Sequence, residues 1–461
     1  MINQLGETTV PDRPWRDLRP FYFIVVFWGE RFRNYLVDFC LPTMLSPNNI
    51  PVLVGGRGHK FIFCTTSEDW HALCETRILG HLREYVEPYH IEIPAAPAGR
   101  SGCEHMGIGH KLASQMAYRD RAYGIFITPD LMVSDGTVNA LARHAVSGYK
   151  VVLTAALRFG EEPLFENLQA IGAISTGPRS PELGQPITIT GRQLVAAGLR
   201  SFHSETQRYE WEAPYFTNFP AACWWRVAGE DGIVLHSLSW APFLCDYAAV
   251  QNHDTSVMET WTMDGDYIHR NFGDGKDVYV VTDSDEIMLV SWAPLSDRPE
   301  SLAPNPFKGS RAGEIIKAGI LRAALFSGVF DCLKKRILFT PVRWHAQELG
   351  PGWEATEAKA ARVLRRYLWD LEPKDSVYNG QKQYHGRIGA WQDKKWERLY
   401  LGAVATIGRI WIVIAVIYRY RERAGQRLNQ AIRGDRDALG RIIRRTGMFW
   451  RLIRGIPINN P

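Results

Sequence analysis

Tyr123-Gly-Ile-Phe-Ile-Thr-Pro-Asp130-Leu-Met-Val-Ser-Asp135-Gly136 is the stretch whose reading decides the fold. A short apolar strand, Ile125 to Thr128, stops at Pro129-Asp130. A second acid, Asp135, sits on a Gly turn, and a helical pattern follows. In open α/β sheets, ligands bind beyond the carboxyl ends of the strands. A carboxylate there can hold a metal-bound phosphate. The same residues also read as a turn at Pro129-Asp130 and a helix cap at Asp135.

Working outward, strands alternate with helices. Phe21 to Trp28 reads as a buried strand, broken by Gly29-Glu30 and followed by a helix from Arg31 to Met44. Lys60 to Thr65 is a second strand, with a helix from Glu68 to Tyr85; Tyr89 to Ile93 is a third strand. Pro94 to Met106 reads as a loop and His110 to Ala122 as a helix. After Asp130 come a helix, Val138 to Ser147, and a strand, Lys150 to Ala155. This alternation implies βαβ units and a mostly parallel sheet flanked by helices.

The expected organisation is an α/β nucleotide-binding unit over 18–160 and a mixed α+β acceptor segment over 161–293 that completes the same domain. A Pro-rich linker at 294–310 and a helical, basic region over 311–461 follow. In the second segment, Gly191 to Arg200 reads as a helix. Ala222 to Val227, Ile233 to Leu238, Val278 to Thr282 and Ile287 to Trp292 read as short strands.

Composition narrows the class. The chain has 461 residues, 46% hydrophobic and 22% charged, as in a folded globular protein. Its seven Cys are scattered with no CxxC pair, which argues for reduced, buried thiols and a cytosolic setting. Met1 to Asp17 carries no apolar signal-peptide core. Sixteen Trp suit either a core or a part-wet binding cleft.

The net charge of +5 is unevenly spread. Lys394 to Pro461 holds 15 Lys and Arg against 4 Asp and Glu, leaving 39 against 45 for the rest. Leu399 to Tyr418 is an apolar run with Arg409 at its middle and basic flanks. A central charge and symmetric flanks disfavour a span. A helix lying on an anionic membrane surface is the expectation, with a buried helix as the other reading. No nucleic-acid-binding motif accompanies the basic residues, so nucleic acid is not an expected partner.

Several strand ends carry chemistry. Trp28-Gly29-Glu30 offers a Gly loop before a helix N-terminus, suited to an anion, or simply a strand-to-helix turn. Thr65-Thr66-Ser67 offers hydroxyls or a helix cap. Asp264 and Asp266 flank Gly265, and His236 ends a strand-like run. These three suit the general base that removes an acceptor proton, or a metal shell, as well as plain turn carboxylates and a core His.

Taken together, Trp28-Gly29-Glu30, Thr65-Thr66, a helix carrying Lys111, and the strand ending at Asp130 resemble the nucleotide-sugar half of GT-A-type glycosyltransferases, family 2-like, over about residues 20–160. The family carries a tight Asp-x-Asp at the last of these positions; this chain has Asp130 and then Asp135. The resemblance implies transfer of a sugar from a nucleoside-diphosphate donor to a glycan or lipid acceptor at the cytosolic membrane face. It implies a divalent cation, Mg2+ or Mn2+. Trp28, Gly29, Glu30, Thr65, Lys111 and Asp130 become the donor-binding set, with Asp130, Asp135 and His236 around the metal. Asp264, Asp266 and His236 become the catalytic set.

Two alternatives stay open at this point. One is a membrane-peripheral scaffold on a degenerate transferase fold. The other is a metal-dependent phosphohydrolase at Asp283 and Asp285, because Val280 to Asp285 loosely resembles the nucleophile strand of haloacid-dehalogenase-type phosphatases. That motif departs at Glu286 and Ile287.

Overall fold

The computed structural model describes residues 18–97, 101–174, 184–215, 221–238, 240–263, 265–272, 277–299, 302, 309–326 and 338–368. The strands are β1 (Phe21–Val26), β2 (Lys60–Thr65), β3 (Glu87–Glu92), β4 (Tyr123–Ile127), β5 (Leu131–Val133), β6 (Val151–Ala155), β7 (Arg158–Gly160), β8 (Ala222–Arg226), β9 (Gly232–Ser237), β10 (Trp240–Asp246), β11 (Val278–Val280), β12 (Leu289–Ala293) and β13 (Val342–His345). Seven of them form one sheet in the order β3-β2-β1-β4-β10-β6-β11. β10 pairs antiparallel with both β4 and β6, and the other pairings are parallel. This mostly parallel sheet flanked by helices is the α/β architecture expected from the alternation. It draws β10 and β11 from beyond residue 160, so the first 160 residues do not complete it alone.

The sheet is covered on both faces, as parallel sheets require. Side chains alternate along β1: Tyr22, Ile24 and Val26 enter one core, and Phe21, Phe23 and Val25 enter the other. In β2, Ile62 and Cys64 join the first, and Phe61 and Phe63 the second. The helix Gly102–Arg119 covers the first face through Ala113 and Ala117. The helices Arg77–Leu82 and Thr137–Val146 cover the second through Ile78, Leu82, Val138 and Leu141.

Two three-stranded sheets flank the main one. β12 joins β5 and β7 beside the ends of β4 and β6. β8, β9 and β13 form the other. On that sheet Trp224 faces the main core, while Trp225 packs with Trp211, Trp353 and Leu364 in a third core. The aromatic richness of this segment therefore serves packing: Trp224, Trp225, Trp292 and Trp344 are all buried.

Three expectations change. The helix expected over Glu68 to Tyr85 is two, Ser67–Cys74 and Arg77–Leu82, with a break at Glu75-Thr76. The helix expected from His110 starts at Gly102, inside the stretch read as a loop. Gly107 and Gly109 are tolerated there because a Cβ on Gly107 would lie 2.2 Å from the Met258 carbonyl oxygen, and one on Gly109 would lie 2.7 Å from Val26. Close approach outweighs the low helix propensity of Gly. The helix expected over Arg31 to Met44 is interrupted by a π-helical segment, Leu36–Cys40. The apolar run Leu399 to Tyr418 and the basic tail lie outside the described residues. Among the described residues, no helix is long and apolar enough to cross a membrane.

His59 makes the first strand acid-sensitive. Its Nδ1 accepts the Phe21 backbone N–H at 3.0 Å, so that nitrogen must stay unprotonated. Burial lowers its pKa from the usual 6.5 to about 4. The unfolded chain then binds more protons than the folded one between those two values, so stability rises with pH across that window and is lost as pH falls from 6.5 toward 4. Denaturant titrations at pH 7 and pH 5 should differ by about 2 kcal/mol on account of this group alone. A His59→Gln variant, whose side-chain amide oxygen can accept the same N–H, should have a correspondingly shallower loss.

Candidate functional site

The carboxyl ends of β1, β2, β4 and β6 share one edge of the sheet, because these strands run parallel. The β1 end is built first. Gly29 takes φ +83°, a conformation suited to Gly, and the helix Glu30–Tyr35 starts on it. Its N–H donates to Asp69 Oδ2 at 2.7 Å. The other Asp69 oxygen accepts from Arg33 Nη1 at 2.7 Å. Asp69 is itself fixed by Thr66, whose Oγ accepts the Asp69 backbone N–H and caps the helix Ser67–Cys74. One nearly buried carboxylate thus ties the β1 loop to the β2 end.

Beside it, Trp28 stands edge-on to His105 with ring centroids 4.6 Å apart. Glu30 is exposed in the first turn of its helix. Thr65 is fully buried, and its Oγ1 has no hydrogen-bond partner among the described residues. Lys111 lies on the helix Gly102–Arg119 and reaches Glu259 Oε1 at 3.5 Å, so its ammonium is engaged with the 256–259 turn.

The β4 end carries Asp130, which is buried. Its Oδ2 accepts Arg158 Nη1 at 3.2 Å and sits 3.4 Å from Ser291 Oγ. Arg158 follows the β6 end by three residues, and the same Nη1 donates to the Trp292 carbonyl at 3.2 Å. Its side chain is 42% exposed. Among the described residues its Nε and Nη2 donate to no protein group. A guanidinium anchored through one nitrogen, with donors to spare, suits a phosphate.

Asp135 departs from the expected metal shell. β5 intervenes between it and Asp130, a separation of roughly 10 Å from the strand rise alone. Its oxygens accept from Ser46 Oγ (2.7 Å), Asn48 N (2.9 Å) and Asn48 Nδ2 (2.7 Å), which pins the 46–48 loop. Nor is it the helix cap; Gly136 occupies that position at φ +91°.

His236 also departs. It lies in β9, in the flanking sheet with β8 and β13, and is buried. Its Nδ1 lies 2.8 Å from the Leu338 carbonyl, and its ring is edge-on to Trp225. Burial lowers its pKa to about 4 despite that carbonyl. It is a neutral core histidine rather than a ligand beside Asp130. Asp264 lies outside the described residues, and Asp266 lies in the helix Gly265–Phe272.

A different grouping does have metal-ligand geometry. Asp283, Asp285 and His345 offer ligand atoms that all lie within 4.8 Å of one another. Asp283 is three residues beyond β11, whose parallel partner is β6, and His345 ends β13. His345 Nε2 is 2.9 Å from Asp283 Oδ1 and 3.9 Å from Asp285 Oδ2. Burial pulls the His345 pKa down, but Asp283 and the Gln347 carbonyl outweigh it, so the net shift is upward. The Asp283 carboxyl goes the other way: burial raises it, and the His345 and Asp285 N–H bonds bring it below the usual value. This cluster is compatible with a divalent cation and includes none of Asp130, Asp135 or His236.

Asp69, Arg158 and His345 are not singled out by the sequence. A Thr-x-x-Asp capping pattern, Thr66 to Asp69, was the one local signal available. Arg158 and His345 meet partners 28 and 62 residues away, and no local pattern announces them.

No protein-family model and no curated protein matches the chain. Among solved structures, TarS of S. aureus is similar at 12% identity and TM-score 0.20, over 40% of this chain and 34% of that one. The mannosyltransferase PcManGT from Pyrobaculum calidifontis, solved with GDP-Man and Mn2+, is similar at 11% identity and TM-score 0.29, over 77% of this chain and 73% of that one. The chain thus spans about a third of the length of TarS. The fold assignment rests on the sheet topology described above.

Proposed function

We propose that the chain transfers a sugar from a nucleoside-diphosphate donor, with the donor lying across the carboxyl edge of the seven-stranded sheet. The observation that carries this reading is the row of groups on that edge: the Gly29 loop held by Asp69, then Asp130 with Arg158. A helix start after a Gly loop favours an anion. Arg158 supplies a fixed positive charge to the leaving diphosphate, and Asp130 holds it in place. Charge that develops on a leaving group is stabilised best by donors already oriented before reaction. The acceptor hydroxyl needs a general base, for which Asp264 and Asp266 remain the nominees from the sequence.

Arg158 also changes the expected role of Asp130. One of its oxygens is taken by the guanidinium, so the diphosphate meets an arginine at this strand end, and no step here depends on a metal at Asp130.

The reading is tested by thermal unfolding against a panel of nucleoside diphosphates and nucleotide sugars. A ligand that binds the folded chain at about 100 times its Kd stabilises it by about 2.7 kcal/mol. A rise of several degrees with one base, and little with the others, is the expected result. No shift with any member of the panel would remove the basis for the reading.

A further inference from the structure

We infer that Asp283, Asp285 and His345 bind one divalent cation of the Mn2+ or Zn2+ type, and that Arg192 is a latch the cation displaces. The site goes beyond the transferase reading and does not rest on it.

The three ligands are held by backbone pairing. Arg343 N donates to the Thr282 carbonyl at 2.8 Å, and Ser284 N to the Arg343 carbonyl at 2.9 Å. His345 N donates to Ser284 Oγ at 3.1 Å. Residues 282–284 therefore lie alongside β13, and both aspartates stand next to the imidazole.

The donor chemistry is specific. Two carboxylates with one imidazole suit Mn2+, which takes carboxylate ligands readily, and Zn2+, which also takes imidazole, whereas Mg2+ and Ca2+ favour all-oxygen shells. His345 is oriented as a ligand would be: Nδ1 is 2.6 Å from the Gln347 carbonyl, which turns Nε2 toward the aspartates. A nitrogen facing two carboxylates needs a positive centre between them, whether a proton or a metal.

An independent observation comes from Thr154 on β6. It is 3% exposed, and its Oγ1 has no partner among the described residues. It lines the same small cavity as Asp283, together with Ala155, Val342 and Trp344. A buried hydroxyl without a partner is costly unless a water or ligand meets it. Water bound to a cation at Asp283 would do so.

Arg192 occupies Asp285 now. Its Nε and Nη2 reach the carboxylate at 2.7–3.2 Å, and Nη1 reaches Glu348 at 2.6 Å. The Arg192 and Asp285 side chains are 35% and 40% exposed, so opening this pair to water costs little. The His345 side chain, at 4% exposed, stays in place. The cation thus gains Asp285 by releasing Arg192.

The test uses the full chain and Mn2+ alone, with free Mn2+ followed by electron paramagnetic resonance. One ion per chain is expected. Asp283→Asn and His345→Gln should each weaken binding at least about tenfold, the scale on which ligand-shell changes act. Arg192→Ala should tighten it by about tenfold, equivalent to about 1.4 kcal/mol of removed competition. That surface variant keeps the test decisive if a ligand variant fails to fold. The inference is overturned if wild type and Arg192→Ala both fail to bind Mn2+, or if Arg192→Ala binds more weakly. It is also overturned if binding survives both ligand substitutions. No nucleotide is present, so each of these results is separate from success or failure of the transferase reading.

Discussion

Arg158→Ala is expected to reduce sugar transfer by about 100- to 1,000-fold, the scale on which a single preorganised donor to developing charge acts. The expectation follows from where the side chain is held. Arg158 is fixed by Asp130 and the Trp292 carbonyl through one nitrogen, and its side chain is 42% exposed at the sheet edge. Its loss removes the cation facing the leaving diphosphate and leaves the Asp130 carboxylate without its ion pair. Because the pair is partly solvated, the stability cost should be modest, about 1 kcal/mol. Arg158→Lys should restore only part of the rate, since an ammonium keeps the charge but lacks the planar set of donors. Release of nucleoside diphosphate, followed under saturating donor, measures wild type and both variants. A rate for Arg158→Ala within threefold of wild type would exclude Arg158 from the chemistry.

Asp69→Ala is expected to weaken nucleoside-diphosphate binding and also to destabilise the fold, by about 2–4 kcal/mol. Asp69 is buried and accepts from the Gly29 N–H, Arg33 and Thr66 Oγ. Removing it takes the acceptor from three donors near the interior, one of them charged, and a donor left unsatisfied carries a penalty of about 1–3 kcal/mol. Gly29 would lose the bond that holds its loop at φ +83°. Asp69→Asn separates the two effects. The amide retains one acceptor oxygen, so much of the stability should return. Arg33 then faces a neutral partner, and nucleotide binding should recover less. Denaturant midpoints and titration calorimetry on both variants give the comparison.

The sequence carried much of the sheet. β1, β2, β4 and β6 are continuous apolar runs bounded by turn residues, and both faces of each strand are buried, which is the pattern such runs predict. β10 was not legible. It contains Pro242, which argues against an interior strand, and it enters the sheet between β4 and β6 with a register shift at Pro242/Leu244. That irregularity accommodates the missing N–H, and nothing local announces it. β13 was missed for a related reason: four residues after a Pro are too short to show a period.

The candidate site was legible in part. Strand ends at Gly29, Thr65 and Asp130 could be placed because the fold class says where ligands bind. Which side chains converge there could not, because convergence is set by long-range pairing. Asp130 meets Arg158 through β7, and Asp283 meets His345 through β13. His236 illustrates the opposite error. A histidine at the end of a strand-like run looks available, yet β9 lies in a flanking sheet with that ring turned into the third core.

The central claim is that the donor lies across the carboxyl edge of the main sheet. Hydrogen exchange of the full chain, with and without the nucleoside diphosphate that stabilises it most, tests this directly. Slowed exchange should concentrate at residues 27–33, 65–69, 128–131 and 156–159. Protection confined to other segments, with those four unchanged, would contradict it.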